Sequence, residues 1–419
     1  MKPYRILSLA AIVCLNSLTV DAATVLQADA YLEVESGELV RPAVVVIDGE
    51  HIVSVNPDSL PANTEAIDLT GQILLPGLID VHTHLTMDIS PGWRERRVKD
   101  TAGDRALRGA RNARLTIEAG FTTVRDVGGK QFADVALARA IEEGFVPGPR
   151  MIPAAHSVSI TGGHCDTTGF APGIAERDYR SGVADGVAEV IKAVRYQIKH
   201  GAKVIKICAT AGVLSDEGPA GAQQYSDEEL RAAVEEAHRH GLKIAAHAHG
   251  TEGIKAAVRA GVDSIEHGSL LDDEAIDLFR ENDTYLVMNI YPPGVVRVDT
   301  LPPHIRAKAE YVFPRRELSF QQALKAGLKL PFGTDAAVYP HGTNAQHFAV
   351  KVGLGQNPAD AIRSATILAA ELLGVDDRGR IEAGMLADFV AVDGNPLKDI
   401  RELEDMRFVM KGGQVIVSN

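Results

Sequence analysis

The sequence predicts an α/β fold: a (β/α)8 TIM-type barrel with a small β-sandwich domain built from both termini. Through the middle of the chain, apolar runs of five to eight residues alternate with segments of helical periodicity, which is typical of repeated βα units and a parallel sheet. Eight such units over roughly 300 residues favour a closed barrel, since open doubly wound sheets usually have fewer strands. Alternating, turn-rich segments at both ends predict the second domain.

Each predicted barrel strand is an apolar run bounded by turn or helix signals. These strands begin near Ile73, Phe121, Met151, Val204, Ile244, Ser264, Tyr285 and Leu330. Helices are predicted over Asp185–Lys199 and Asp227–His240, and the second has Ser226 as its N-cap with Glu229 three positions on. We therefore assign residues 73–379 to the barrel.

The predicted small domain combines residues 23–72 with residues 380–419. Ala43–Val55 has the pattern of a β-hairpin with an Asp-Gly turn. Near the end of the chain, residues 387–393 and 406–417 are predicted as strands, with a Gly-Gly turn inside the second segment. Two β-rich ends that flank a different middle predict one domain assembled from both termini.

Residues 1–22 are predicted to be a secretory signal. Lys2 and Arg5 precede the apolar run Ile6–Leu15, and small residues follow the run. We therefore expect cleavage near Ala22 or Ala23. The run is too short to span a bilayer. The sequence therefore predicts a secreted or periplasmic protein that has no membrane attachment after the signal is removed.

The formal net charge of −13 argues against nucleic acid and anionic membranes as partners, because those surfaces require a concentrated field of Lys and Arg. Only Cys165 and Cys208 follow the predicted signal. Two cysteines cannot form a disulfide scaffold for a domain of this size, and one bridge between them is left open.

Histidine, lysine and aspartate side chains lie at the ends of five predicted strands, which is where a barrel builds its active site. They are His82, His84, Lys206, His247, His249, His267 and Asp335. His82 and His84 are two positions apart, so both face the same side of a strand and can bind one ion. His247 and His249 are related in the same way; we prefer His247 as the ligand, while spacing leaves His249 open. With His247 the set offers six groups, too many for one tetrahedral zinc, which predicts two divalent metal ions, zinc above all.

Lys206 lies between Ile205 and Ile207 in a strand that a parallel barrel buries on both faces. An isolated lysine there is costly unless it is paired or chemically modified. A desolvated lysine has a lowered pKa and is a competent nucleophile. With carbon dioxide it becomes a carbamate, N6-carboxylysine, whose two oxygens can bridge two cations. An amine in solvent and a Schiff base are the alternatives, and the surrounding histidines favour the bridging ligand.

Seven motifs, in this order, resemble the amidohydrolase superfamily over nearly the whole chain after the predicted signal. They span residues 76–84, 120–126, 205–207, 247–250, 266–268, 333–335 and 384–393. A closer resemblance is carried by Thr161–His164, Lys206 and Gln224–Leu230. It is to the subgroup of Xaa-Pro dipeptidases, related exported carboxypeptidases and ochratoxin-hydrolysing amidases. The resemblance implies a metal-dependent hydrolase of an amide or peptide bond in a small molecule or dipeptide, and we expect a homo-oligomer.

The resemblance also implies how the ligands divide between two ions that a carboxylated Lys206 bridges. The first ion would be held by His82, His84 and Asp335, and the second by His247 and His267. Asp335 would be the catalytic group that takes a proton from metal-activated water and passes it to the leaving amine.

His164 and Tyr225 are predicted to contact the substrate, with His249 beside them. The resemblance implies that they polarise the scissile carbonyl, which makes His164 a second catalytic candidate, or that they bind the product's carboxylate. Relatives often carry an acidic residue after the Asn-Ala of the last loop, where this chain has Gln346-His347, so contacts near that rim are expected to differ.

Two other functions compete with amide hydrolysis. A cyclic-amide hydrolase or deaminase, such as an imidazolonepropionase-like enzyme, belongs to the same superfamily, but its deaminases generally use one metal and lack the bridging lysine. Lys206 therefore discriminates between them. A catalytically inactive binding protein with a barrel fold would have lost ligands, whereas all six positions are filled here.

Overall fold

The computed structural model describes residues 23–419; the predicted signal, residues 1–22, lies outside the described residues. The strands are β1 (Ala23–Glu33), β2 (Glu38–Val40), β3 (Ala43–Asp48), β4 (His51–Val55), β5 (Thr64–Pro76), β6 (Leu78–Thr83), β7 (Phe121–Asp126), β8 (Arg150–Pro153), β9 (Ile205–Cys208), β10 (Ile244–Ala248), β11 (Ser264–His267), β12 (Tyr285–Val287), β13 (Phe389–Val392), β14 (Phe408–Lys411) and β15 (Gln414–Ser418). The helices are α1 (Trp93–Lys99), α2 (Ala102–Glu118), α3 (Ala133–Glu142), α4 (Val187–Lys199), α5 (Asp227–Arg239), α6 (Thr251–Ala260), α7 (Asp273–Glu281), α8 (Pro303–Ala326), α9 (Gln346–Gly353), α10 (Pro358–Ser364) and α11 (Ile367–Leu373). Strands and helices alternate from β6 to α8, so the fold is α/β.

Strands from both ends of the chain share one eight-stranded sheet. Its order is β15, β14, β13, β5, β1, β3 and β4, with β2 paired to β1. β5 joins the two ends, because it pairs in parallel with β1 and antiparallel with β13. The predicted hairpin is confirmed as β3 and β4. The pairing thus joins strands of both termini in one hydrogen-bonded sheet, and alternation in the sequence identifies such strands but not their partners.

The middle of the chain forms two parallel sheets, one of β6, β7 and β8 and the other of β9 to β12. Backbone hydrogen bonds connect them at both edges. On one side, Cys208 N donates to Val158 O at 2.8 Å. On the other side, Val81 N and Leu286 N each donate, at 2.9 Å, to carbonyl oxygens within residues 329–332. The second connection places the end of β6, with His82 and the adjoining His84, next to the segment that carries Asp335.

Two predicted barrel strands differ from the structure. The first begins at Leu78 and not at Ile73, because residues 73–76 complete β5 in the terminal sheet. The apolar run is continuous across this boundary, so its pattern does not reveal the change of sheet. The eighth, predicted near Leu330, is not a regular strand in the described part of the chain. Its end departs from strand geometry, since Asp335 has a φ of 65°.

The predicted helix after Ser226 is confirmed as α5, which ends at Arg239 and has the capping box between Ser226 and Glu229. Its apolar face and those of α4, α6 and α7 pack against β9 to β12 in the largest core cluster. None of the helices in residues 23–419 has the length and apolar content needed to cross a bilayer.

Candidate active site

Two groups of potential metal ligands lie side by side at the carboxyl ends of the parallel strands. One group is His82, His84 and Asp335, and the other is His247, His249 and His267. Within each group the ligand atoms lie within 4.8 Å of one another. The rings of His82 and His267 are 5.0 Å apart between centroids, so the two groups adjoin. The fold therefore brings together every histidine and aspartate that we predicted as a ligand, with both His247 and His249 in the second group.

The backbone at two of these positions adopts a conformation that side-chain-bearing residues rarely take. His267 has a φ of 73° and Asp335 a φ of 65°. Such residues each cost on the order of 1–3 kcal/mol and persist where the surrounding structure requires them, commonly at functional sites. The strain aims both side chains into the space between the strand ends.

Lys206 lies on the same cavity as both groups and is buried, with 3% of its surface exposed. It pairs with Ala245 in the parallel register of β9 and β10. Its amine makes no hydrogen bond or ion pair with residues 23–419. Burial lowers the pKa of Lys206 to about 8, although Glu266 and Asp335 act against the shift. A buried amine of this kind is a chemically reactive group without a structural partner.

The imidazoles of the second group are suited to bind a cation. Burial lowers the pKa of His247 and His267 well below the usual value and that of His249 to about 3, so all three are neutral near pH 7. The Nδ1 atom of His249 lies 2.8 Å from Ser269 Oγ, whereas the buried Nε2 of His247 has no hydrogen-bond partner. An unpartnered lone pair beside two other imidazoles fits the donor set of a borderline divalent metal.

Buried partners orient the two histidines of the first group. His82 Nδ1 lies 2.6 Å from Glu266 Oε2, and Arg125 Nη2 donates to Glu266 Oε1 at 2.7 Å. His84 Nδ1 lies 2.9 Å from the carbonyl oxygen of Gly128. Burial opposes ionisation of Glu266, but Arg125 and the hydrogen bond with His82 hold its pKa well below the usual range. The Nε2 atoms of His82 and His84 are consequently turned away from these partners and toward Asp335.

Asp335 presents its two oxygens to different neighbours. Oδ1 lies 3.5 Å from Nε2 of both His82 and His84, and Oδ2 accepts a hydrogen bond from the Tyr291 hydroxyl at 2.7 Å. Burial acts to raise the pKa of Asp335, but the two histidines and Tyr291 outweigh it and lower the pKa to about 2. The carboxylate is therefore ionised and available both as a ligand and as a proton acceptor.

A cavity of about 220 Å³ opens over both ligand groups. Its walls come from the segments that follow β6, β7, β8 and β9 and from α8. Polar and cationic side chains line it, among them Lys130, His164, Arg177 and Arg316. Apolar side chains such as Trp93 line it as well.

The family model described as amidohydrolase matches residues 73–416, which is most of the chain. The chain belongs to the amidohydrolase family. The predicted membership is thus confirmed, and the match covers both groups of ligands and Lys206.

Known relatives of this amidohydrolase include ochratoxinase from Aspergillus niger, which is 33% identical over 413 residues, covering 90% of this chain and 84% of the relative. A solved structure of a Xaa-Pro dipeptidase with bound methionine in the active site is 38% identical, covers 94% of this chain and 99% of its own, and superposes with a TM-score of 0.89. Imidazolonepropionase from Streptomyces griseus is 26% identical over 373 residues, covering 85% of this chain and 86% of the relative. The predicted subgroup resemblance is therefore confirmed.

His164 lies in the cavity of the amidohydrolase, as expected for a residue that contacts substrate. Its ring stacks on that of His247 with centroids 4.0 Å apart, and its Nδ1 lies 2.8 Å from Glu217 Oε1. The next residue, Cys165, forms a disulfide with Cys208. The bridge that the sequence left open is therefore present. The disulfide fastens the loop of His164 to the strand that carries Lys206.

Tyr225 is placed differently from the prediction. It is 2% exposed, belongs to the core that packs α4 and α5 against β9 and β10, and does not line the cavity. Its hydroxyl donates to the carbonyl oxygen of Ala184 at 3.2 Å. The predicted substrate contact of Tyr225 is not supported, because its hydroxyl is directed into the protein. His347 is also fully buried and away from the cavity, so it does not form a rim.

Sequence reasoning missed several residues of the site. Arg125 and Glu266 are charged residues inside buried strands, and a buried charge is also the feature that distinguishes Lys206. Tyr291 and Arg316 carry no comparable signal, because they lie in an irregular segment and in a helix with many charged residues.

Proposed function

We propose that this amidohydrolase is a binuclear-metal enzyme that hydrolyses an amide or peptide bond of a small carboxylate-bearing substrate. Dipeptides, N-acyl amino acids and ochratoxin-like amides are the substrate classes. The observation that carries the proposal is the pair of adjoining ligand groups on one cavity with the buried, unpartnered amine of Lys206. Ochratoxinase and the Xaa-Pro dipeptidase among its relatives support this choice of chemistry.

We also propose that the two parallel sheets belong to one (β/α)8 barrel, which begins at Leu78 within the predicted range 73–379 and has residues 329–336 as an irregular eighth strand. The hydrogen bonds at both edges of the sheets support closure. The small domain would comprise residues 23–76, to the end of β5, and residues 380–419. The disulfide between Cys165 and Cys208 supports export behind a signal at residues 1–22, since such bonds persist in oxidising compartments.

The proposed ligand sets follow the two groups. Two ions, zinc above all, would be held by His82, His84 and Asp335 and by His247 and His267, with carboxylated Lys206 shared. Bound divalent ions supply Lewis acidity to the scissile carbonyl and acidify a water molecule. We prefer His247 to His249 as the ligand, because His247 Nε2 is buried without a partner. That choice leaves His249 for the substrate.

The protein's own groups would carry the proton and orient the substrate. Asp335 Oδ2, which Tyr291 holds in place, would accept the proton of the attacking water and deliver it to the leaving nitrogen. His164, oriented by Glu217, would donate a hydrogen bond to the carbonyl oxygen or to the substrate's carboxylate.

Arg316 supports a carboxylate-bearing substrate. Its side chain lines the cavity, is 5% exposed, and makes no hydrogen bond or ion pair with the described residues. Its guanidinium carbon lies 4.7 Å from the ring centroid of Tyr291, and the hydroxyl of this tyrosine donates to Asp335 Oδ2. A buried guanidinium without a partner is well suited to bind a carboxylate with two hydrogen bonds.

The second candidate is a cyclic-amide hydrolase, which the likeness to imidazolonepropionase favours. A catalytically inactive binding protein is a weaker alternative, because both ligand groups are complete. A substrate panel separates these functions: Xaa-Pro, Xaa-Lys and Xaa-Arg dipeptides and N-acyl amino acids against lactams and aminopurines. Hydrolysis of lactams or aminopurines alone would overturn the proposal.

Metal analysis of the purified protein tests the binuclear site. We expect about two ions per chain, and Lys206→Ala should lower this occupancy and abolish hydrolysis. Lys351→Ala is the matched control, since Lys351 is also buried without an ion pair but lies outside the cavity. Full activity and unchanged metal content in Lys206→Ala would contradict the bridging role.

A further inference from the structure

Six cationic side chains line the side of the cavity formed after β6, β7 and β8. Arg96 donates to several oxygens of residues 88–91 and Arg108 pairs with Asp100, and the other four form a cluster with fewer such partners. This cationic cluster consists of Arg97, Arg105, Lys130 and Arg177. Arg97 and Arg105 lie in α1 and α2, Lys130 follows β7, and Arg177 lies in the loop after β8. None of the four forms an ion pair with a carboxylate of residues 23–419, although Arg108 on the same cavity pairs with Asp100 at 2.8 Å.

Neutral atoms hold two members of the cluster in place. Lys130 Nζ donates to the carbonyl oxygen of Cys165 at 2.9 Å. Arg105 Nη2 donates to the carbonyl oxygen of Arg96 at 3.2 Å, and its buried Nε has no partner. Arg105 is only 6% exposed. Neutral atoms thus hold both side chains at the cavity, while Asp100 near Arg105 and Asp166 near Lys130 act on their charges without forming an ion pair.

The other two members are held in a similar way. Arg177 Nε donates to Thr167 Oγ1 at 2.6 Å, and the guanidinium carbon of Arg97 lies 4.8 Å from the ring centroid of Trp93. A hydroxyl and an indole ring orient a guanidinium without neutralising it. Most of the donor hydrogens therefore remain free for a ligand.

The four charges act on one another. Burial, followed by Arg177 and Arg97, lowers the pKa of Lys130 to about 7, and burial also lowers the pKa of the three arginines. Asp166 is the nearby acid that opposes the shift at Lys130 and Arg177. In a chain with a net charge of −13, unpaired cations that repel one another in a cavity indicate a site for an anion.

The cluster and Arg316 lie on different sides of the first ligand group. Hydrogen bonds place the strands in the order β8, β7, β6, residues 329–336 and β12. The cluster follows the first three of these strands, and Arg316 belongs to α8 after the last. His82 lies on β6, the last strand on the cluster's side, and Asp335 lies on the segment between β6 and β12. A substrate whose amide lies at the ligands would extend toward both cationic regions.

We propose that the cationic cluster binds a second carboxylate of the substrate, so that the enzyme prefers dicarboxylic amides, such as dipeptides that contain glutamate or aspartate. This inference rests on the proposed function and names its substrate class. Arg316 would receive one carboxylate and the cluster the other. A guanidinium or ammonium forms its strongest hydrogen bonds with such groups.

The test compares isosteric dipeptides that differ in one charge: Ala-Glu with Ala-Gln, and Glu-Ala with Gln-Ala. We expect kcat/KM to be at least about tenfold higher for the acidic member of one pair, as hydrogen bonds to charged groups imply. The ratio should fall toward one in Lys130→Gln and in Arg177→Gln. Arg114→Gln is the control, because Arg114 is exposed on α2, away from the cavity, and should keep the ratio.

A binding measurement keeps the inference testable independently of hydrolysis. Calorimetry should show that glutarate binds to the metal-loaded protein more tightly than its monoamide, glutaramate, and that Lys130→Gln removes the difference. Equal kcat/KM within both pairs, with the neutral dipeptides hydrolysed, would overturn the cluster's role and leave the proposed function standing. If neither these dipeptides nor any dipeptide or N-acyl amino acid of the panel is hydrolysed, the proposed function fails, and equal binding of glutarate and glutaramate then overturns the anion site as well.

Discussion

Glu266→Gln tests the buried support of the first ligand group. Glu266 is fully buried and contacts three groups at close range: Arg125 Nη2 at 2.7 Å, His82 Nδ1 at 2.6 Å and Ser264 Oγ at 2.6 Å. Glutamine keeps the shape of the side chain but removes its negative charge. The substitution therefore leaves Arg125, which is 1% exposed, without a charge partner.

The size of the effect follows from what Arg125 retains. Its Nε still donates to Val81 O at 2.6 Å and its Nη1 to Ser264 Oγ at 3.0 Å. Removing one partner of a buried ion pair costs about 3–5 kcal/mol, and the surviving hydrogen bonds place our expectation near the lower value, about 3 kcal/mol. His82 also loses a carboxylate that orients its ring, which typically weakens metal affinity by about 10–100-fold.

Urea unfolding of metal-free protein measures the first effect without a contribution from bound ions, and competition with a chromophoric chelator measures the second. Glu118→Gln is the control: its exposed pair with Arg114 should contribute less than about 1 kcal/mol. The double variant Arg125→Met/Glu266→Gln should regain stability but not metal affinity, since His82 stays unsupported. A stability loss below about 1 kcal/mol in Glu266→Gln, or unchanged metal affinity, would refute the assigned role.

Three further predictions concern the cavity and its ions. Tyr291→Phe removes the hydrogen bond to Asp335, so kcat should fall about tenfold and the acid limb of the pH profile should move upward, with metal content unchanged; an unaltered profile would argue against this contact. The groups that face Lys130 are the three arginines of the cationic cluster and, in addition, Asp166 and His156. Lys130 is charged below its pKa of about 7, so the kcat/KM preference for acidic dipeptides should decline as pH rises through 7. Lys130→Gln should flatten that decline. Removal of metal by a chelator should abolish activity and lower Tm, and zinc should restore both; activity that survives would exclude a metal-dependent reaction.

The clustering of the candidate ligands could be predicted from the sequence, because two simple regularities determine it. Side chains two apart on a strand share a face, which places His82 and His84 in one group. Parallel strands end at the same edge, which brings His267 and Asp335 to the same cavity despite their separation in sequence. The same alternation puts His247 and His249 together, and so it cannot choose between them.

The remaining features depend on partners that a sequence pattern does not specify. Tyr225 directly precedes the N-cap of α5, and this position is compatible with a side chain that faces either a substrate or the core. Only the packing of the folded chain places it in the core. The cationic cluster draws one or two residues from each of several loops and helices, so no local run of charge reveals it. Arg125 and Glu266 differ, because a charge inside a buried strand requires a partner of opposite sign. The sequence offers both Asp126 and Glu266 to Arg125, and the fold pairs it with Glu266.

The charges around Lys206 link its proposed carboxylation to the proposed binding of two metal ions. Arg125 is already buried nearby, and an ammonium at Lys206 would add a second positive charge beside two dications. A carbamate there would supply a negative charge and two ligand oxygens instead, so the unmodified lysine disfavours two ions and the carbamate favours them. By linkage, bound ions must stabilise the carbamate to the same extent. Metal occupancy should consequently fall when the protein is reconstituted without carbon dioxide, whereas a purely structural lysine would leave occupancy independent of it.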